Sequence, residues 1–339
     1  ARDQHLLVRG GFAVDGRLLA LEGDIRCNVG AYSCYPVTCG VEPLMALAGL
    51  ELGLRKPSDS INDPGFFSLP NSRHQFRDWK RGGHGVVDLR RSISQSCDVY
   101  YYKLAVDMGI DRMHDYLAQF GLGEKTGIDL DGESSGLLPS RDWKQRRFKQ
   151  PWYPGETVIA GIGQGYHLTT PLQLAVAAAM LANGGVRIEP RLVQAMRDPL
   201  THTWQPQPGG ARAQLAITPK HLEVVREGMM DVMRPGGTAA RSAAGAPYTM
   251  AGKTGTAQVV GIKQGARYDA SRLARKHLDH ALFIAYAPAE NPTIAVAVMV
   301  ENGGSGSGTA APIARAVFDY YLTGKRPGDM KLEAGLANE

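Results

Sequence analysis

Residues 281–300 read ALFIAYAPAENPTIAVAVMV. Two apolar, β-rich runs, 281–287 and 293–300, flank the turn PAENP, and the pattern predicts neighbouring buried strands. A helical apolar spacing follows at 311–322. At the other end of the chain, GFAVDGRLLAL (11–21) sets apolar stretches on either side of Asp15-Gly16, the strongest short hairpin signal. Helical patterns fill the interval. Pro43 stands where a first helical residue is favoured, ahead of LMALAGLELGL. A helix is predicted over 92–109, with Val99, Tyr100, Leu104, Ala105 and Met108 on its apolar side; Asp111 is expected to cap the next, which ends at Gly121. Thr170-Pro171 opens a strongly apolar helix that closes at Asn183-Gly184-Gly185, and another runs over 219–233. Residues 23–42 have no clean period. Residues 57–88, rich in Pro, Gly, Asn and Asp, read as a long loop, which inside a compact domain needs a job or a staple. Strands at both ends with helices between predict an α+β protein whose antiparallel sheet is built from the two termini.

Composition agrees with a globular chain. Its 339 residues are 43% hydrophobic and 21% charged, which excludes a disordered tail or a coiled coil. The longest nearly apolar run, 172–182, contains a Gln and falls short of the ~20 residues a membrane span needs. No basic segment followed by an apolar one opens the chain, so no signal peptide is expected, and the chain is expected to be soluble or the soluble part of a longer one. A net charge of +5 without a dense Lys/Arg run speaks against nucleic acid. Four cysteines make no disulfide scaffold, but Cys27, Cys34 and Cys39 cluster in a short stretch.

Three groups of residues carry chemistry. Lys253-Thr254-Gly255-Thr256 on a strand offers a cation, hydroxyls and an unobstructed backbone edge, a set suited to a carboxylate-bearing acyl substrate; the plain alternative is a chance surface tripeptide. Ser96-Cys97-Asp98 at a helix start could aim a hydroxyl and a carboxylate into one cleft, or simply cap the helix. Asp63, Asp78, His84 and Cys97 supply two carboxylates, an imidazole and a thiol, a legitimate closed tetrahedral zinc set. Their alternative is a turn Asp before Pro64, a surface Asp, a loop His and a buried thiol. Gly161-Ile162-Gly163-Gln164-Gly165 lacks the frame of a dinucleotide loop and is expected to let backbone pack near the cleft; the Tyr100-Tyr101-Tyr102 run is expected to be packing.

Order changes the weight of these signals. Ser-x-Asp at 96–98, GIGQGYHLTTPLQLA at 161–175 and KTGTAQ at 253–258 together resemble the transpeptidase domain of the class B penicillin-binding proteins. RDWKRGGHG (77–85), DMGIDRM (107–113), RDWKQRRFKQPWY (141–153) and ENGG (301–304) are similar to the Gram-negative penicillin-binding protein 2 group within that class. The resemblance covers about 43–322. It implies a penicillin-binding transpeptidase/serine β-lactamase-like fold over 1–325, with sheet parts at about 8–22 and 245–325, a helical part at about 43–240 and a C-terminal tail at 326–339.

The resemblance further implies a peptidoglycan D,D-transpeptidase of cell elongation that works through an acyl-enzyme and is a β-lactam target. It implies a structural zinc on Asp63, Asp78, His84 and Cys97, and stem peptides and β-lactams as ligands. A SEDS-family membrane glycosyltransferase and elongation-complex proteins are the implied partners, in a periplasmic domain whose inner-membrane anchor lies outside this chain. Ser96 and Asp98 would relay protons, Lys253 and Thr254 would bind the substrate carboxylate, Gly255 would let the substrate backbone lie close, and Thr256 would help place the acyl group.

One motif departs from that pattern. Counting without a gap from Pro43 and from Asp63-Pro64-Gly65, the family's nucleophilic Ser falls on Cys39 and its Lys base on Glu42, and no other Ser-x-x-Lys occurs. A thiolate needs a cation nearby, and Glu42 brings the opposite charge. Three readings follow: a defective or misread segment over 23–42, an inactive relative that keeps the groove for binding peptidoglycan or β-lactams, and a true Cys nucleophile. A D,D-carboxypeptidase or β-lactamase is a lesser alternative.

Overall fold

The computed structural model describes residues 11–13, 18–20, 34–36, 39–206, 209–259 and 273–326. Cys27 and the Asp15-Gly16 turn lie outside the described residues. Five strands form one antiparallel sheet: β1 (Gly11–Ala13), β2 (Leu18–Ala20), β3 (Ala251–Ala257), β4 (His280–Ala287) and β5 (Ile294–Val300), in the order β3-β4-β5-β1-β2. The predicted pair is β4 and β5, in register from Ala281 opposite Val300 to Ala287 opposite Ile294. β1 closes on both β5 and β2, so the two ends of the chain share the sheet and β3 is left at its edge.

The principal helices are α1 (Glu42–Glu51), α2 (Leu89–Gln95), α3 (Asp98–Met108), α4 (Pro171–Asn183), α5 (Pro219–Val232) and α6 (Ala311–Thr323). Consecutive residues of β4 and β5 are buried, so both faces of the sheet are covered; α4 and α6 both pack on β5. Alanines at 281, 285, 295 and 297 keep those faces low enough for the helices to approach.

α1 is buried from Glu42 through Leu50, with α2, α3 and α5 around it. An isolated helix of this kind has no solvent face, and only a packed protein interior can hold it. Pro43 opens it, with no hydrogen bond lost because the first turn's N–H groups have no partner within the helix. α4 starts on a reciprocal capping box between Thr170 and Gln173 and ends at Gly184 in the left-handed conformation.

Three expectations are corrected. Residues 92–109 are not one helix. The chain breaks at Ser96, which takes the left-handed conformation (φ 54°, ψ 58°), and Asp98 starts a second helix. Asp111 sits inside the first turn of the helix Ile110–Ala118 rather than capping it; that position belongs to Gly109. Residues 57–88 are not an unstructured loop either, because Ser60–Asp63 pairs with Gly85–Asp88 and Phe66–Phe67 with Phe76–Arg77. Gly83 lets the excursion fold this tightly: its φ is +76°, and a Cβ there would lie 2.1 Å from the Asp63 carbonyl oxygen.

Candidate active site

Position 39 sits one turn ahead of the buried helix α1. The Cys39 N–H donates to the Ile162 carbonyl at 2.7 Å, so the Gly161–Gly165 stretch holds the strand-to-helix turn in place. Gly161 itself passes against α3, where a Cβ would lie 2.5 Å from that of Ala105. Because α1 is fully buried, its first residue arrives in the interior, and in this chain that residue is Glu42. Its carboxylate meets Lys253 Nζ at 3.2 Å, both side chains fully excluded from solvent, and it accepts from Ser96 Oγ at 3.0 Å. Lys253 comes from β3, and its ammonium also donates to Ser96 Oγ at 2.8 Å and to the Thr254 carbonyl at 2.7 Å.

The left-handed turn at Ser96 is what aims its hydroxyl at that pair. Ser96 therefore caps no helix N-terminus; it ends α2, and Asp98 opens α3. Asp98 accepts the Trp79 N–H at 3.0 Å, while Cys39 Sγ points at its other oxygen from 3.9 Å. Trp79 also donates its indole N–H to the Ser96 carbonyl at 2.7 Å. Electrostatics follow from burial. Desolvation, then Glu42 and Asp98, hold the Cys39 thiol well above its ordinary value. Desolvation also raises Glu42 above the usual carboxylate range although Lys253 opposes it, and it raises Asp98 well above, helped by Asp78 and Glu42.

These groups open into a cleft of about 1160 Å3, large enough for a peptide segment or a bicyclic ligand. Cys39, Ser96, Thr254, Gly255 and Thr256 line it, the last three along the free edge of β3. Gly306 brings the following segment across β3, where a Cβ would lie 2.4 Å from the Gly255 carbonyl oxygen. The structure thus gathers Cys39, Glu42, Ser96, Asp98, Lys253, Thr254, Gly255 and Thr256 at one place. It adds Thr238, which the sequence reading missed: its hydroxyl is 2.9 Å from that of Thr254. The only signal for it was the Pro-Gly-Gly turn at 235–237.

Across the Ser96–Cys97 peptide lies the second group. One donor atom from each of Asp63, Asp78, His84 and Cys97 falls within 4.8 Å of the others, and all four residues are buried. His84 Nδ1 is 2.8 Å from Asp63 Oδ2 and 3.4 Å from Asp78 Oδ1, and Cys97 Sγ is 3.4 Å from Asp63 Oδ2. Backbone N–H groups steady the carboxylates: Gly65 and His84 on Asp63, Lys80 on Asp78. Burial opposes charge on His84, yet the two carboxylates outweigh it and raise the imidazole. Burial likewise pushes the Cys97 thiol up. For Asp63, hydrogen bonds from Gly65 and His84 overcome burial and lower it. The donor types and their convergence fit a closed tetrahedral zinc.

Comparison with known proteins adds the family context. The model of the penicillin binding protein transpeptidase domain matches residues 41–319. The peptidoglycan D,D-transpeptidase MrdA of Acinetobacter baumannii is 43% identical over 314 residues, covering 91% of this chain and 46% of that protein. The chain spans about half the length of the curated relatives it matches. Among solved structures, Pseudomonas aeruginosa PBP2 in complex with WCK 5153 is similar with a TM-score of 0.77 and 42% identity, over 88% of this chain and 63% of that one. PBP2 of Helicobacter pylori in complex with MreC has a TM-score of 0.78 at 28% identity, over 93% of this chain and 60% of that one.

Proposed function

The chain belongs to the penicillin-binding protein transpeptidase family, and on that premise we propose that it is the acyl-transfer domain of a peptidoglycan D,D-transpeptidase of cell elongation. The observation that carries this reading is the cleft, in which the nucleophile position, Ser96 and the Thr254–Thr256 strand edge face one space. A stem peptide ending in D-Ala-D-Ala lies along β3. Cys39 Sγ attacks the penultimate D-Ala carbonyl, a thioester forms, and the terminal D-Ala leaves as a free amino acid. The thiol proton passes through the Asp98, Ser96 and Glu42 cluster to the leaving amine. An amine of a neighbouring stem then opens the thioester and restores the thiol.

A second reading has its own observation in the buried Glu42–Lys253 pair, which takes up the cation a thiolate needs. In that reading the cleft binds stem peptides and β-lactams without forming an acyl-enzyme. Intact-mass measurement after incubation with a penicillin decides between them. An adduct of one acyl group mapped to residue 39 supports transfer. No adduct, with saturable penicillin binding retained, supports binding alone, and release of hydrolysed product selects a β-lactamase or carboxypeptidase.

Zinc belongs to the same proposal. Asp63, Asp78, His84 through Nδ1, and Cys97 would hold it, and when bound it neutralises their charge and staples the 57–88 excursion to the Ser96 turn. Partners belong to the proposal too: elongation-complex proteins of the MreC kind, which the complex of Helicobacter pylori PBP2 with MreC supports, and, from the family resemblance, a SEDS-family glycosyltransferase, met in the periplasm by a protein anchored in the inner membrane.

A further inference from the structure

Two lysines are fully buried among the described residues. Lys253 belongs to the cleft, whereas Lys144 sits on the helix Arg141–Phe148 and does not line it. A buried ammonium needs compensation, and Lys144 has two kinds. It pairs with the Glu156 carboxylate, and its Nζ lies 4.2 Å from the centre of the Tyr153 ring, with the rings of Trp152 and Tyr166 at 5.9 and 6.0 Å. Trp143, its neighbour on the same helix, packs on Tyr166 as well, at 5.0 Å between ring centres. These partners come from two other segments, 152–156 and the residue directly after Gly161–Gly165. One buried charge thus ties three stretches of chain together.

The constraint passes from this box to the cleft through backbone. The second Glu156 oxygen accepts the Tyr153 N–H at 2.8 Å, and the Trp152 indole donates to Thr157 Oγ1 at 2.8 Å, so both steady the first turn of the helix Pro154–Ala160. That helix runs directly into the glycine-rich stretch, where the Gly161 N–H donates to the Thr157 carbonyl at 3.1 Å and the Gln164 N–H to the Ile159 carbonyl at 3.0 Å. Ile162, between them, lines the cleft and takes the Cys39 N–H on its carbonyl. Residue 39 needs such a hold. Its φ is 60°, a left-handed conformation that a non-glycine residue keeps only when its surroundings impose it.

We propose that Lys144 is a positioning residue for the nucleophile turn: clasped by Glu156 and three rings, it fixes the Gly161–Gly165 stretch and, through the Ile162 carbonyl, the conformation of residue 39. This rests on the reading of residue 39 as the nucleophile position. The test is amide hydrogen exchange read residue by residue in the wild type, K144M and E156Q, well below their melting temperatures. In K144M the Cys39 amide is expected to exchange about tenfold faster than in the wild type, roughly the worth of one hydrogen bond, while the amides of β4 and β5 keep their rates. E156Q, whose side chain reaches solvent, is expected to act in the same direction and carries the test if K144M does not fold. A Cys39 amide that keeps its wild-type rate in variants with a lowered melting temperature overturns the proposal, because Lys144 would then hold only its own helices. Acceleration spread equally over β4 and β5 overturns it too, as general loosening. Exchange at residue 39 needs no turnover, so a wild type that forms no penicillin adduct overturns acyl transfer alone.

Discussion

Two buried polar clusters lie back to back across the Ser96–Cys97 peptide, and they balance their charges in opposite ways. On one side, Glu42 and Asp98 share the interior with a cation from the chain itself, Lys253. On the other, Asp63, Asp78 and Cys97 converge with a histidine and with no lysine or arginine among the four. The first cluster is complete without help. The second offers anionic donors to a cation from outside. Adjacent sites on one scaffold thus differ in what they ask of solution, and each difference can be broken experimentally.

Removing the internal cation has the largest expected effect. K253M leaves Glu42 buried beside Ser96 and the Cys39 thiol without the lysine's charge, and breaking a buried pair from one side costs about 3–5 kcal/mol. The loss depends on pH. Glu42 lies above the ordinary carboxylate range even beside Lys253, because burial disfavours its charge. A carboxyl raised in this way binds its proton more tightly folded than unfolded. The variant is therefore most stable below the ordinary carboxylate range and loses stability as pH rises through the raised value. Urea unfolding across that range measures it; a K253M curve parallel to the wild type shows that Glu42 does not feel the lysine.

Supplying the external cation comes next. At free zinc a hundredfold above its dissociation constant, the folded state gains about 2.7 kcal/mol. The wild type should melt higher with zinc than with a chelator, and C97A should melt alike in both. Identical wild-type melts would remove the metal from the second cluster.

The thiol at the head of α1 sharpens the contrast further. Burial, then Glu42, holds Cys39 above its ordinary value. E42Q removes the charge, and each unit by which the thiol falls speeds alkylation at neutral pH about tenfold. Iodoacetamide labelling followed by peptide mapping reads the rate at residue 39. Equal rates in E42Q and the wild type detach Glu42 from the thiol.

The smallest effect is at the strap between the clusters. W79F removes the indole hydrogen bond to the Ser96 carbonyl and should cost about 1 kcal/mol in denaturant unfolding. No change in the midpoint would show that the indole adds nothing to the hold on the Ser96 turn.

Much of the scaffold was legible because local signals and burial agree there. β4 and β5 are continuous apolar runs, and α4 carries its cap, its opening proline and its closing glycines in sequence order. The break at Ser96 left no such mark. Serine is a poor left-handed residue, and it holds that conformation through contacts to Glu42 and Lys253, which are remote in sequence. The paired segments within 57–88 were hidden for a related reason: they are two- to four-residue ladders, too short for a period-2 pattern to show. Residue types announced the tetrad, but only the fold could say that spacings of 15, 6 and 13 residues close on one point. Thr238 left only the Pro-Gly-Gly turn before it as a signal, because its link to the site is a single hydroxyl contact.

The complete burial of α1 also fixes when the domain can be finished. Glu42 enters the interior near the start of the helical part, and the ammonium that makes its burial tolerable is encoded at position 253, close to the final strands. β1 likewise waits for β5. Contacts this distant along the chain are slow to form and come late. A ribosome or translocon releasing the chain from its N-terminal side therefore presents α1 for most of synthesis as an apolar segment headed by an unpaired acid. That is the interval in which a chaperone matters most, and it ends only when β3 arrives.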